Sequence, residues 1–420
     1  MREMKDSGVQ WIGAIPVDWK IDNPQYHFSQ RKDRAKQGMV QLTASQKYGV
    51  ITQTEYMERT GANIVTVQKD FDILKLVCAG DFVIHMRSFQ GGLEYSEKTG
   101  SISSAYVMLI PSNTIREPRY YKWFFKSSNY IDALSSTSNL VRDGQAMRWS
   151  NFIQLPILFP PAEEQQRIAD FLDAKCAEID ALTADIQTQI DTLEQYKRSV
   201  ITETVTKGLN PDAEMKDSGI QWIGNMPAHW DVIRGKYILR YMQKPVREDD
   251  GVITCFRDGE VTLRSNRRED GFTMSDKEIG YQGIDVGDLV VHGMDGFAGS
   301  IGISNSRGKA SPVLNVLDTD QCKRYIMYYL RSMAYSDVFL ALATGIRVRS
   351  CDLRWNKLAE LSYPVPPLDE QNAIVKHIDS VLSKADAVIA DKKAQLATLD
   401  EYKKSLIFEY VTGKKEVPTS

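Results

Sequence analysis

The residues of this sequence best suited to chemistry are polar side chains that follow short β-rich runs, and the chemistry they suit is recognition. Arg87, Ser88, Gln90 and Lys98 come after FVIHM in the first half of the chain, and Asp295, Ser300, Arg307 and Lys309 come after DLVVHG in the second. Arg bonds guanine bidentately, Gln does so with adenine and Asp accepts from cytosine, so such loops could encode a base sequence. Taken singly, each is more often a solvated surface group. The stretches before Trp149 and Trp355 carry the same donors more densely: VRDGQAMRW holds Arg142, Gln145 and Arg148, and GIRVRSCDLRW holds Arg347, Arg349 and Arg354. Basic clusters at Arg31, Lys32, Arg34 and Lys36, and at Arg264, Arg267 and Arg268, suit phosphates, which position a protein on nucleic acid without specifying sequence. A solvated loop is the alternative for each cluster. His85 and His292 stand at matching strand ends with no other ligand type clustered beside them, the pattern of a satisfied structural histidine rather than a metal ligand.

Catalytic signatures are missing. There is no G-x-x-x-x-G-K-[ST] loop, no H-E-x-x-H and no G-x-S-x-G. Asn23-Pro24-Gln25-Tyr26 approaches the N-P-P-[YF] tetrad of adenine methyltransferases but has the wrong third residue and no Gly-rich cofactor loop before it, so it reads as a turn. The glycines Gly293, Gly296, Gly299 and Gly302 do not follow G-x-G-x-x-G and also read as a turn, one that would let backbone approach a ligand closely. The five cysteines are scattered without a C-x-x-C pair, so neither a disulfide framework nor a zinc site is indicated. No apolar run nears the ~20 residues needed to span a bilayer, and MREMKDSGVQ lacks a signal-peptide core, which leads us to expect a cytosolic protein.

The elements that must position these residues are laid out by a repeat. EMKDSGVQWIGAIPVDW, Glu3 to Trp19, returns as EMKDSGIQWIGNMPAHW, Glu214 to Trp230, with 12 of 17 positions identical. A second block repeats from Trp149 and Trp355 onward: Pro160, Pro161, Glu164, Gln165 and Ile168 return as Pro366, Pro367, Glu370, Gln371 and Ile374. Between these anchors the likeness fades to echoes, such as GDFVIH at Gly80 and GDLVVH at Gly287. The chain is a tandem duplication, with equivalent frames around divergent interiors.

After Pro161 the residues Leu172, Ile179, Ile186, Leu193 and Val200 are seven apart, with Ile168, Leu182 and Tyr196 on the interleaved seam. The second copy offers Ile378, Ala385, Leu399 and Leu406 with Ile374, Val381, Val388 and Tyr402. This is the 3-4 spacing of a coiled coil, interrupted by Lys175, Gln189, Lys392 and Gln395, polar residues that favour one register. Helices of ~45 residues would be about 65 to 70 Å long. An isolated amphipathic helix ordinarily packs on its own domain, but two seams in one chain can bury each other at high effective concentration.

Residues 20 to 148 carry 17 Lys/Arg against 12 Asp/Glu, whereas residues 162 to 207 carry 5 against 10, so phosphate attraction falls on the domain and not on the helix. The predicted organisation is a mixed α/β domain over 1–155, a long helix over 156–208, a second domain over 209–361, a second helix over 362–415 and a tail over 416–420. The fold class is α+β, a pseudo-two-fold internal repeat with the two long helices forming an antiparallel coiled coil. The β-rich runs leave the strand topology open.

With the repeat laid out, the sequence resembles the specificity subunit of a type I restriction-modification system over its full length. The carriers are the D-S-G-x-Q-W-I-G-x-x-P-x-x-W openers at Asp6 and Asp217 and the P-P-x-x-E-Q-x-x-I helix starts at Pro160 and Pro366. The resemblance implies two target-recognition domains, each reading one half of a bipartite asymmetric DNA site, and helices that set the unread gap as spacers. It implies docking of two DNA-methyltransferase subunits, which bring S-adenosylmethionine, and of translocating restriction subunits that use ATP and Mg, with no cofactor in this chain. Gln145 has no counterpart before the second closing Trp, where Arg349 and Ser350 fall nearby. The competing reading is an interaction scaffold whose coiled coil binds protein and whose domains bind peptides or glycans.

Overall fold

The β-rich runs are brief and broken by Gly and Asn, so no strand defines a sheet alone, and the sheets are assembled from segments far apart in the chain. A computed structural model describes residues 2–64, 73–137, 147–267, 279–342 and 353–418. Arg142, Gln145, Arg268, Arg347, Arg349 and Cys351 lie outside the described residues. The chain divides into unit 1, Met1–Ile186 with Ala394–Ser420, and unit 2, Gln187–Lys393.

Unit 1 is built on four antiparallel strands, β1 (Phe28–Arg31), β2 (Phe82–Ile84), β3 (Glu94–Tyr95) and β4 (Val107–Pro111), in the order β1-β4-β2-β3. Alternation sorts the two faces. Phe82, Ile84 and Leu109 pack with Tyr120, Tyr121 and Phe124 of the helix Pro118–Phe124. Val83 and Met108 point the other way, toward Leu42 and Val50 of a covering hairpin and Val77 and Ile102 of a second two-stranded pair.

Unit 2 repeats this with β5 (Arg240–Met242), β6 (Leu289–His292), β7 (Ile301–Ile303) and β8 (Leu314–Asp318), in the order β5-β8-β6-β7. Leu289, Val291, Ile301 and Leu317 face Tyr325 and Tyr329 of the helix Lys323–Tyr335. Val290 and Val316 face Ile253, Cys255, Val261, Ile284 and Ala310. The two topologies agree strand for strand.

The repeated motifs meet in space, which explains their residue types. The long helices are α1 (Ala162–Lys207) and α2 (Leu368–Val411). Trp19, fully buried, donates its indole N–H to Glu164 in the first turn of α1 at 2.9 Å, and Trp230 donates to Glu370 of α2 at 3.1 Å. Gln165 and Gln371 each donate to the carbonyl of the proline five residues back, Pro160 and Pro366, at 2.9 Å. Carbonyls in the last turn of a helix lack intrahelical partners. Here the Tyr120 hydroxyl donates to Val411 O at 2.7 Å and the Tyr325 hydroxyl to Val205 O at 3.0 Å. Beyond each helix stands a left-handed glycine, Gly208 at φ +73° and Gly413 at φ +69°. A Cβ on Gly413 would come within 2.6 Å of Pro16 and 2.9 Å of Trp19, and one on Gly208 within 3.1 Å of Trp230.

Within each unit the two helices run antiparallel. In unit 1 the Phe171 and Tyr410 rings are 4.4 Å apart, and further along α1 Asp180 pairs with Lys403, further back on α2. In unit 2 Gln189 accepts from Lys392, and further along α1 Lys197 bonds Asp386 at 2.6 Å, again further back on α2. The polar interruptions Gln189 and Lys392 thus satisfy one another. The seam differs from the sequence expectation in phase. Leu182, Tyr196, Val388 and Tyr402 are about half exposed, and the buried seam instead runs through Leu172, Cys176, Ile179, Ile186 and Ile190 on α1 and Ile378, Ala385, Ile389, Leu406 and Tyr410 on α2. Apolar residues stand at two adjacent helical positions, and packing selects one of them.

Among the described residues, Cys78, Cys176, Cys255 and Cys322 are free thiols, and burial pushes those of Cys176 and Cys255 up to about 12. Among the described residues no helix is long and apolar enough to cross a membrane.

Candidate nucleic-acid interface

β6 ends in His292 and His85 directly follows β2, and each histidine organises the turn that comes after it. The backbone N–H of Arg87 donates to Nδ1 of His85 at 3.3 Å, and the His85 N–H donates to Ser88 Oγ at 2.9 Å. The N–H groups of Met294 and Asp295 donate to Nδ1 of His292 at 3.2 and 2.9 Å. An Nδ1 that accepts carries no proton, so the neutral ring is the Nε2-protonated tautomer. Burial holds His292 below its ordinary pKa, with Arg257 adding to this and Asp295 opposing it. The turns so held present unlike residues. Arg87 and Gln90 are exposed in unit 1, while unit 2 presents exposed Met294 and half-buried Asp295.

A hairpin tip leans on each turn. In unit 1 the hairpin Leu42–Ser45 with Gly49–Thr52 brings Gln46 Nε2 to donate to Arg87 O at 2.9 Å. Beside it the Lys47 ammonium and the Arg59 guanidinium each lie 5.3 Å from the Tyr48 ring. In unit 2 the hairpin Ile253–Cys255 with Val261–Leu263 brings Arg257 to Asp295 at 3.1 Å. Arg267 braces that tip, 2.7 Å from Asp258 and 4.2 Å from the Phe256 ring centre. Gln46, Lys47, Tyr48, Arg59 and Arg257 escaped the sequence reading. The available signal was a short polar turn, SQKYG or FRDGE, between two β-rich runs of matching position.

Unit 2 also joins distant candidates. Leu353 N–H donates to Gly293 O at 2.8 Å, and Asn315 Nδ2 donates to the carbonyls of Val291 and Leu353, both at 3.1 Å. Exposed Arg354 therefore stands beside the turn that carries Asp295, and it caps the helix Trp355–Leu358 as exposed Arg148 caps Trp149–Phe152. Lys32, Arg34 and Lys36 are exposed past the end of β1, with Arg34 donating to Ile73 O at 3.0 Å. Arg264, half buried, donates to Thr254 at 3.3 Å, and Lys309 is half buried on the strand Gly308–Ala310.

Five sequence candidates serve the fold instead. Ser88 and Ser300 are fully buried, Ser88 as the partner of His85. Arg31 clamps buried Asp81 at 2.7 and 2.9 Å, and this bond raises its already high pKa. Lys98 bonds both oxygens of Glu55, at 2.9 and 2.7 Å. Together with the Thr52 cap of the helix Gln53–Thr60, that contact lowers the Glu55 carboxyl to about 2. Arg307 is held by Asp250 at 2.9 and 2.8 Å and by Asp285. Lys244 and Arg307 lower Asp285 to about 2. Each of these cations spends its donors on a carboxylate, which leaves few for a ligand.

Comparison with known proteins agrees with this geometry. Residues 26–192 match the family model of the type I restriction modification DNA specificity domain. A protein named as the specificity subunit of the type I restriction enzyme MjaX of Methanocaldococcus jannaschii is 23% identical over 442 residues, covering 97% of this chain and 96% of that protein. The MjaVIII specificity subunit of the same archaeon is 22% identical, covering 96% and 94%. A chain solved in work on complex assembly and conformational transition of the type I R-M system shares the fold with a TM-score of 0.64 at 14% identity, over 96% of this chain and 99% of that one. Residues 26–192 thus match a type I restriction modification DNA specificity domain, and over nearly its whole length the duplicated chain is similar to type I restriction enzyme specificity subunits.

Proposed function

We propose that this chain reads DNA sequence and performs no chemistry, each domain recognising one half of a bipartite, asymmetric site while the two helices set the gap and dock methyltransferase subunits. The observation that carries this is the identity of frame with difference of content. Both units share sheet order, hairpins and the Trp–Glu lock, yet the turn after β2 shows Arg87 and Gln90 where the turn after β6 shows Asp295. A reader of a palindrome gains nothing from unlike halves, whereas an arginine and an aspartate seek opposite base edges. S-adenosylmethionine, ATP and Mg enter with the methyltransferase and restriction subunits, and the assembly works in the cytosol.

The exposed apolar residues of the helices support docking of two identical partners. Leu182 and Val388 are 48% and 43% exposed, and Tyr196 and Tyr402 are 51% and 54% exposed. They are equivalent by the repeat, and the antiparallel register puts Leu182 near the level of Tyr402 in unit 1 and Tyr196 near the level of Val388 in unit 2. Equal apolar patches on equal frames suit two copies of one partner.

The test is the salt dependence of DNA binding by the assembled complex. Each phosphate contact contributes a slope of about −0.9 to log K against log salt, so the three exposed groups Lys32, Lys36 and Arg87 predict a total of about −2.7 or steeper. A slope near zero would favour a protein- or glycan-binding scaffold.

A further inference from the structure

We infer that His85 and His292 are positioning residues for sequence readout, each fixing through its Nδ1 the backbone of the turn that presents bases with their reader in its own domain. The inference deepens the proposed function and rests on the reading that these turns face DNA. Three observations carry it. The histidines stand at equivalent places, His292 as the last residue of β6 and His85 directly after β2. Both ring nitrogens Nδ1 accept from the N–H two residues on, and His292 also accepts from the N–H three residues on. The turns they hold otherwise differ in sequence, Met86-Arg87-Ser88 against Gly293-Met294-Asp295. A group retained with its strand while the turn after it changes serves what the two domains have in common, which is presentation and not the base read.

The surroundings hold each histidine in place. His85 is 5% exposed, with Nε2 3.5 Å from Glu94 Oε1 and its ring edge-on to Tyr106 at 6.1 Å; Glu94 in turn bonds Lys126. His292 is half buried, and its backbone N–H donates to Ser300 O at 3.0 Å, which fixes the start of the turn. With the ring fixed, its lone pair is a rigid post to which the turn amides are tied. Without the acceptor those amides must seek other partners, and the turn takes other conformations. Side chains leaving a mobile turn discriminate less, because pre-organisation is what converts a hydrogen bond into specificity.

The geometry gives a clean isostere test. Asn places its Oδ1 on Cγ, where His carries Nδ1, whereas Gln places its amide near the Nε2 position. Full-length chain assembled with its methyltransferase subunits is used to methylate libraries in which one half-site is randomised. His292→Gln should lower base discrimination at the half-site read by unit 2 by about tenfold while leaving the other half-site unchanged, and His292→Asn should restore most of it. His85→Gln and His85→Asn should do the same for the half-site read by unit 1, which keeps the inference testable if one Gln variant fails to fold. Equal behaviour of the Gln and Asn variants, or relaxation of both half-sites together, overturns the inference. Asp295→Asn separates the two levels of the argument. If it shifts the base preference while His292→Gln does not, the histidine role is wrong and the turn remains the reader. If Asp295→Asn shifts nothing, the turn is not the reader and the inference falls with it.

Discussion

Glu164 shows how much one repeated residue can be asked to do. Its carboxylate opens α1, takes the indole N–H of Trp19 and pairs with Arg2, so the helix start is tied to the core of the domain before it. Tyr120 does the complementary work at the other end by satisfying the last carbonyl of α2. A buried hydroxyl whose acceptor is left unpaired costs about 1–3 kcal/mol. Tyr120→Phe should therefore lower unfolding free energy by that amount in chemical denaturation, and Tyr325→Phe by a similar amount for its bond to Val205. No loss for either variant would mean that the helix ends are not held by these bonds. At this scale the sequence was only partly legible. The Trp, Glu, Gln and Tyr of the frame stood out because they recur, but nothing in one sequence separates an arginine that reads from one that clamps. Arg31 and Arg307 differ from Arg87 only in having Asp81 and Asp250 within reach, a fact of tertiary packing. Ser88 likewise looked like a reader and is the buried acceptor of the His85 N–H.

Among the elements, the helices were legible in number and near-length, but the seam is shifted in phase. Each helix starts six residues later than the expected 156 and 362, after the strands Ile157–Phe159 and Ser362–Val365. A heptad of Leu172, Ile179 and Ile186 is visible in the sequence, yet its companion seam could be completed by Leu182 and Tyr196 or by Cys176 and Ile190, and packing takes the latter. The distinction has a measurable consequence. Ile186→Asp buries a carboxylate in the seam and should cost 3 kcal/mol or more, on the scale of an unpaired buried charge, by denaturant titration. Leu182→Asp should stay within about 0.5 kcal/mol of the parent in the same titration. On the proposed docking role, Leu182→Asp should also weaken binding of one of two methyltransferase subunits, read as a fall in stoichiometry from two toward one by native mass. Equal stability losses in the two variants would restore the seam expected from sequence. Strands such as those in FVIHM and DLVVHG were legible, but their pairing into sheets was not. Strands of two to five residues give too few alternating positions to fix a partner, and β1 finds β4 across nearly eighty residues. The helix Gln53–Thr60 and the hairpins around it were invisible for the same reason.

For the whole molecule, the claim is that duplication supplied one frame and divergence supplied two readers. The frame was read from the openers and helix starts, because a motif that occurs twice at matched offsets exposes the positions that structure requires. The readers were not, because divergence erases the pattern that made the frame visible, and the stretches before Trp149 and Trp355 that hold Arg142, Gln145, Arg347 and Arg349 lie outside the described residues. The matching order of β1-β4-β2-β3 and β5-β8-β6-β7 shows that the fold survived where the sequence did not. A modular reader follows, and it can be tested in one step. Residues 231 to 354 are exchanged for the corresponding domain of a relative with different specificity, and the methylated site is mapped in the host genome by long-read sequencing. The account predicts a new sequence in one half of the site, with the other half and the gap between them unchanged; alteration of both halves would contradict it.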